Sequence, residues 1–360
     1  MANLHQLLKV MIEKGATDLH ITTGSPPQLR VDGELIPLKS PPLTAPETKQ
    51  LCYSILTDSQ KQKFEENSEL DLSFGVKGLS RFRSNIFMQR GAVAGAFRSI
   101  PFRILTFEEL GIPLVVQSLC KKPRGMVLVT GPTGSGKSTT LAAMIDKINA
   151  EEHMHIITIE DPIEYLHQHK NCIVNQREVE ADTKSFKVAL KYILRQDPDV
   201  VLVGEMRDLE TIELALTAAA TGHLVFGTLH TSSAPKAVDR VIDVFPTDQQ
   251  NQVRTTLAES LKGVVAQNLF KRIDQPGRVA ALEVLVVDTA IANLIREAKT
   301  HQIPGMIQVG KKKGNQPLDD AIMDHLRHMR ISPEEAYDKA IDKKKFRAFL
   351  KTPPADEFEE

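Results

Sequence analysis

Residues 131 to 140 read GPTGSGKSTT, with the apolar run GMVLVT directly before them and LAAMIDKI directly after. A strand, a glycine-rich turn and a helix in that order make a phosphate-binding loop. Gly131, Gly134 and Gly136 permit positive φ and close backbone approach, so successive N–H groups can face phosphate oxygens while the following helix adds its N-terminal dipole. The cradle comprises Gly131, Pro132, Thr133, Gly134, Ser135, Gly136, Lys137, Ser138 and Thr139. Lys137 is placed to reach the β- and γ-phosphates. Ser138 offers a hydroxyl to Mg²⁺, which takes oxygen ligands and keeps several waters.

Outward from this loop the chain keeps alternating. HIITIED, DVVLVGE and HLVFGTLH are apolar strands, separated by the helices TKSFKVALKYILRQ and LETIELALTAAATG. Fully apolar strands alternating with helices imply a parallel sheet covered on both faces, with ligands at the carboxyl ends of its strands. Those ends are polar here. Glu160, Asp161 and Glu164 follow one strand, and Glu205, Arg207 and Asp208 follow another. Many P-loop proteins hold the metal with an aspartate closing the second strand, whereas this chain has Gly204 and then Glu205. Glu205 is read as serving the Mg²⁺ water network and Glu164 as orienting or deprotonating an attacking water, two roles that could be exchanged on sequence grounds. Asp208 suits the cap of the next helix. His223 and His230 bracket LVFGTL, where they could sense a γ-phosphate or couple it to a neighbouring subunit, while His167 and His169 read as surface residues.

The first hundred residues have a different texture. Leu4, Leu7, Leu8, Met11 and Ile12 repeat at helical spacing before Gly15, and QLRVDGELIPL reads as a hairpin turning at Asp32-Gly33. Thr44 to Glu47 forms a capping box, and Leu70 to Ile100 reads as short strands with glycine-rich turns. The expected division is an α/β domain over 1–100, a linker over 101–116 with a box at Thr106–Glu109, an ATPase-type domain over 117–350 and a disordered tail over 351–360. Near the C-terminus, residues 247–273 read as one long helix with a Thr247–Gln250 box and a stripe at Val253, Leu257, Leu261, Val264 and Leu269. A last helix opens at Ser332-Pro333 with Glu335 completing a box.

Composition narrows the function classes. With 45 basic and 46 acidic residues the formal net charge is −1, so no global field draws the chain to nucleic acid or anionic lipid. The basic runs at 121, 311 and 343 lack interleaved aromatics and Trp is absent, which argues against a base-stacking strand binder and any stable nucleic-acid partner. Cys52, Cys120 and Cys172 lie far apart, supporting neither a disulfide framework nor a zinc knuckle and fitting a reducing cytoplasm. No transmembrane segment or signal peptide is apparent, so a membrane role would be peripheral. Arg81, Arg83, Arg90 and Arg98 crowd the end of the first domain. Phosphoryl transfer gains from cations delivered to the γ-phosphate, often by another subunit.

Four blocks in fixed order, GPTGSGKST, ITIEDPIE, VVLVGEMRD and HLVFGTLHTSS, resemble the Walker A, Asp, Walker B and His boxes of the traffic ATPases of type II secretion and type IV pili. The likeness is strongest to the pilus-retraction branch and covers nearly the whole chain, including LLKVMIEKGATDLHITTGSPPQLRVDGEL. It implies a PAS-like N-terminal domain, a RecA-like ATPase domain, ATP and Mg²⁺ as ligands, and a ring homo-hexamer. It further implies a cytoplasmic location at the inner-membrane face, docked on a platform protein of the PilC type. Arg83 and Arg98 match the family's N-terminal arginines that approach phosphates, with Arg195, Arg207 and Arg240 as weaker matches. Extension motors usually add an N-terminal domain and a four-cysteine zinc site, which this sequence lacks. AIANLIRE at 290–297 resembles the retraction signature AIRNLIRE, with Ala292 in place of its arginine, so no role of that arginine carries over. The rivals from other classes are a nucleotide-gated regulatory module and a nucleic-acid translocase.

Overall fold

The computed structural model describes residues 3–31, 33–100 and 103–352. The expected hairpin corner at Asp32, the linker residues Pro101 and Phe102, and the tail from 353 onward lie outside them. The chain divides into two compact units, Met1–Arg103 and Ile104–Glu360.

In the first unit, six strands form an antiparallel sheet in the order β3-β2-β1-β6-β5-β4. They are β1 (Asp18–Ile21), β2 (Gln28–Val31), β3 (Glu34–Pro37), β4 (Glu69–Val76), β5 (Ser80–Gln89) and β6 (Ala92–Ile100). The helix Leu4–Glu13 buries Leu4, Leu7, Leu8 and Met11, the stripe expected from their spacing. The hairpin of β2 and β3 and the Thr44–Glu47 box are both present, the Glu47 carboxylate accepting from the Thr44 N–H at 2.8 Å. The segment from 70 to 100 differs in scale from expectation. Its strands run eight to ten residues, because alternation such as that of Phe82, Ser84 and Ile86 turns every second side chain into the core.

The second unit is built on a sheet of order β13-β12-β7-β11-β10-β8-β9. Its strands are β7 (Gly125–Thr130), β8 (His155–Glu160), β9 (Ile173–Glu178), β10 (Val200–Val203), β11 (Leu224–Leu229), β12 (Leu261–Lys271) and β13 (Arg278–Val286). All neighbours pair parallel except β12 with β13. Alternate residues of the inner parallel strands enter two separate cores, as Met126 and Leu128 do in one and Val127 and Val129 in the other, so helices do cover both faces. Complete burial of such side chains contributes about 1.5–3 kcal/mol each. The α/β class expected from the sequence is therefore the fold class of the molecule.

Several local expectations are corrected. Residues 247–273 are not one helix but the helix Gln250–Ser260 followed directly by β12. Gly263 weakens a helix and the β-branched pair Val264-Val265 favours a strand, and the pairing of β12 with β7 on one side and β13 on the other overrides the helical spacing. The Thr247–Gln250 box is absent, since the helix is capped by Gln249 without a side-chain bond and Gln250 donates to the Phe245 carbonyl instead. The Glu335 box is half formed. Ser332 Oγ accepts from the Glu335 N–H, but the Glu335 carboxylate turns to the Lys271 N–H and to Lys339. Residues 104–116, expected as linker, pack into the second unit through Phe107, Ile112 and Val116. The strands β9 and β13 were not anticipated.

Candidate active site

The loop from Gly131 to Gly136 joins β7, an inner strand of the sheet, to the helix Lys137–Glu151. Gly131 and Gly136 sit at φ of 146° and 89°, where L side chains are strained, and space forbids a Cβ as well. A Cβ on Gly131 would meet the Gln267 carbonyl at 2.3 Å, and one on Gly136 would meet Gln267 Nε2 at 2.8 Å. Gln267 is a supporting residue missed in the sequence because its segment read as helix. Lying on β12 and almost wholly buried, it donates to the Ser135 carbonyl at 2.7 Å and accepts from Thr140 Oγ1 at 2.7 Å. The floor of the phosphate loop is thus fixed from the neighbouring strand. Ser135 Oγ, inside the cradle, is buried with no hydrogen-bond partner, and Lys137 Nζ donates back to the carbonyls of Gly131 and Pro132 at 2.9 and 3.1 Å. A buried hydroxyl in need of a partner and an ammonium folded over backbone oxygens suit a bound polyphosphate.

Burial pushes the Lys137 ammonium below its ordinary pKa, and the negative charges of Glu205 and Glu164 push it back up. Both acids therefore act on the same lysine, although they come from loops after different strands. Glu205 follows β10 and is held by two side chains. Its Oε1 is ion-paired with Arg207 Nε and stands 2.8 Å from His230 Nε2. Burial alone would raise the Glu205 pKa, but the hydrogen bonds and charges of Arg207 and His230 outweigh it and hold the carboxyl below its usual range. Arg240 donates to the Arg207 carbonyl at 3.4 Å, so two of the three weaker arginine candidates meet at this loop, while Arg195 is exposed just beyond the helix Phe186–Ile193. At Gly204, where other P-loop proteins carry an aspartate, a Cβ would crowd the backbone of β8, approaching the Ile159 carbonyl at 3.1 Å and Glu160 Cα at 3.2 Å.

Glu164 is exposed, at the head of the loop that leaves β8 through the cis Asp161-Pro162 bond. Glu160 is half-buried, and burial raises its pKa, although Thr158, Gln176 and the Glu164 N–H donate to it. His167 corrects its surface assignment. The imidazole is half-buried, its Nδ1 is enclosed without a partner, and burial pushes its pKa down to about 4. His169 is exposed, its Nδ1 accepting from the Val174 N–H. His223 contacts the Ala218 carbonyl at 3.0 Å, and Asp208 caps its helix by accepting from the Thr211 N–H. In the first unit Arg83 and Arg98 are register partners across β5 and β6, both exposed, and Asp18 holds Arg98 Nε at 2.8 Å.

The combination of these boxes on one sheet edge can be set beside known proteins. Residues 1–284 match the model of the type II/IV secretion system protein family. The chain belongs to this family. The type IV pilus retraction ATPase PilT of Pseudomonas aeruginosa is 52% identical over 338 residues, which is 94% of this chain and 98% of PilT. The type IV pilus ATPase PilU of the same organism is 41% identical, covering 96% of this chain and 91% of PilU. The crystal structure of the pilus retraction motor PilT with bound ADP superposes at a TM-score of 0.91 with 50% identity, over 96% of this chain and 99% of that one. Among the described residues of this family member, no helix is long and apolar enough to cross a membrane.

Proposed function

We propose that this secretion-family chain is the subunit of an ATP-hydrolysing motor that powers type IV pilus retraction and twitching motility. The observation that carries this reading is the placing of Glu164 and Glu205 on loops after two neighbouring parallel strands beside the phosphate cradle, the first loop tied to Thr139 through Tyr165 at 2.8 Å and the second to His230 at 2.8 Å. A module that only bound nucleotide would need the cradle and not the acids. Lys137 and the loop from Gly131 to Thr139 bind the phosphates, and Glu164 orients or deprotonates the attacking water. His230 holds Glu205 and registers its state. Mg²⁺, held by Ser138 and through water by Glu205, would neutralise charge on the β- and γ-phosphates. Arg83 and Arg98 complete the site of a neighbouring subunit in a ring hexamer, which docks on a PilC-type platform protein at the cytoplasmic face of the inner membrane. The identity to the retraction ATPase PilT, 52% against 41% to the pilus ATPase PilU, favours retraction as the motor's task.

Purified protein should release phosphate steadily from ATP with Mg²⁺, and Lys137→Ala should abolish that release. Nucleotide binding without turnover under hexamer-forming conditions would overturn the motor reading. Deletion in the source organism should leave excess surface pili and abolish twitching, whereas bald cells would point to extension.

A further inference from the structure

We propose that Gln176, on β9, is a positioning residue that sets the loop carrying Glu164, with Glu160 and Tyr165 as its two struts. The inference rests on Glu164 being the water-directing carboxylate. Gln176 spends its amide on three parts of one loop. Its Nε2 donates to Glu160 Oε1 at 3.0 Å and to the Tyr165 carbonyl at 2.8 Å, and its Oε1 accepts from the His167 N–H at 2.8 Å.

Each strut passes the constraint on. Glu160 accepts from Thr158 Oγ1 at 2.6 Å and also from the backbone N–H of Glu164. Tyr165 shares a hydrogen bond of 2.8 Å between its hydroxyl and Thr139 Oγ1, the last residue of the phosphate loop. Glu178, two residues along β9, accepts from the Ile163 N–H at 3.1 Å. Backbone groups at 163, 164, 165 and 167 are therefore all tied to side chains, and the Glu164 side chain projects from a frame anchored at one corner to the phosphate cradle. A base must lie within about 2.6–3.2 Å of the proton it takes, and an error of about 1 Å can cost roughly 100-fold in rate. The register that sets Gln176 opposite Thr158 brings the amide to this loop.

The test is a mutant cycle in the full hexameric chain with Gln176→Leu, Glu164→Gln and the double variant, reading kcat, KM for ATP and ADP affinity. Gln176→Leu should lower kcat about 10- to 100-fold while KM and ADP affinity stay within about 3-fold. In the Glu164→Gln background the same change should cost less than about 2-fold more. Equal losses in both backgrounds, or a wild-type kcat for Gln176→Leu beside an inactive Glu164→Gln, would overturn the positioning role and leave the catalytic reading intact. Wild-type turnover by Glu164→Gln would instead overturn both. Should Gln176→Leu fail to fold, Tyr165→Phe keeps the ring and loses only the Thr139 bond. Its expected kcat loss of about 3- to 10-fold must likewise vanish in the Glu164→Gln background, and persistence of that loss would sink the proposal.

Discussion

The loop after β8 and the loop after β10 each carry a glutamate whose charge raises the Lys137 pKa, yet different forces hold the two. The first is tied along its backbone by side chains of Glu160, Gln176 and Glu178, several of them screened from water. In the second, Thr228 fixes the backbone at Gly204, but the Glu205 carboxylate is held by Arg207 and His230, whose side chains are 77% and 45% exposed. Screened hydrogen bonds contribute about 1 kcal/mol each and add into a stiff frame. Exposed ion pairs contribute about 0–1 kcal/mol and yield readily to a competing charge. One glutamate thus stands on a preorganised backbone, and the carboxylate of the other is held by partners it can exchange when phosphates arrive.

The largest effect should come from the stiff loop. Glu164→Gln is expected to reduce steady-state phosphate release about 10²- to 10⁴-fold with ADP binding retained, and a comparable loss confined to KM would reverse the contrast. Next is Gln267→Leu, which strands the Ser135 carbonyl and the Thr140 hydroxyl. Two buried groups left unpaired should lower stability by about 2–4 kcal/mol and weaken nucleotide binding, both measurable by thermal unfolding with and without ADP.

A smaller effect is expected at His167. The folded imidazole stays neutral down to about pH 4 while the unfolded one takes a proton near 6.5, so the unfolded state binds more protons in that window. Stability should then fall as pH drops from 6.5 towards 4, by no more than about 3 kcal/mol, and His167→Leu should flatten that fall in urea titrations at several pH values. The smallest concerns the labile loop. Arg207→Ala removes the cation that most depresses the Glu205 pKa, so the acid limb of the ATPase profile should move to higher pH. An unmoved acid limb would show that the exposed ion pair does not hold this carboxylate.

Much of the site was legible because its chemistry is local. The glycine spacing, Lys137 and Ser138 are consecutive residues, and the apolar runs before Glu205 and His230 end where a parallel sheet presents ligands. Asp208 and Thr44 were legible for the same reason, since a cap bonds groups two or three residues away. His167 was not, because its burial comes from the fold around it and not from its neighbours in sequence.

The sequence by itself determined that this is an α/β chain with a phosphate loop, acidic strand ends and an arginine-bearing first unit. Tertiary structure alone decided that residues 261–271 form a strand, since the spacing at Val253, Leu257, Leu261 and Val264 also satisfies a helix. It likewise decided that Gln267 underpins the cradle and Gln176 the Glu164 loop. The bonds of Gln267 join residues more than a hundred positions apart, and those of Gln176 reach from β9 back to the end of β8 and the loop between, groups that meet only when the two strands pair. Their free energy lies in the pairing of screened polar groups across the sheet, which neither periodicity nor a cap pattern reveals.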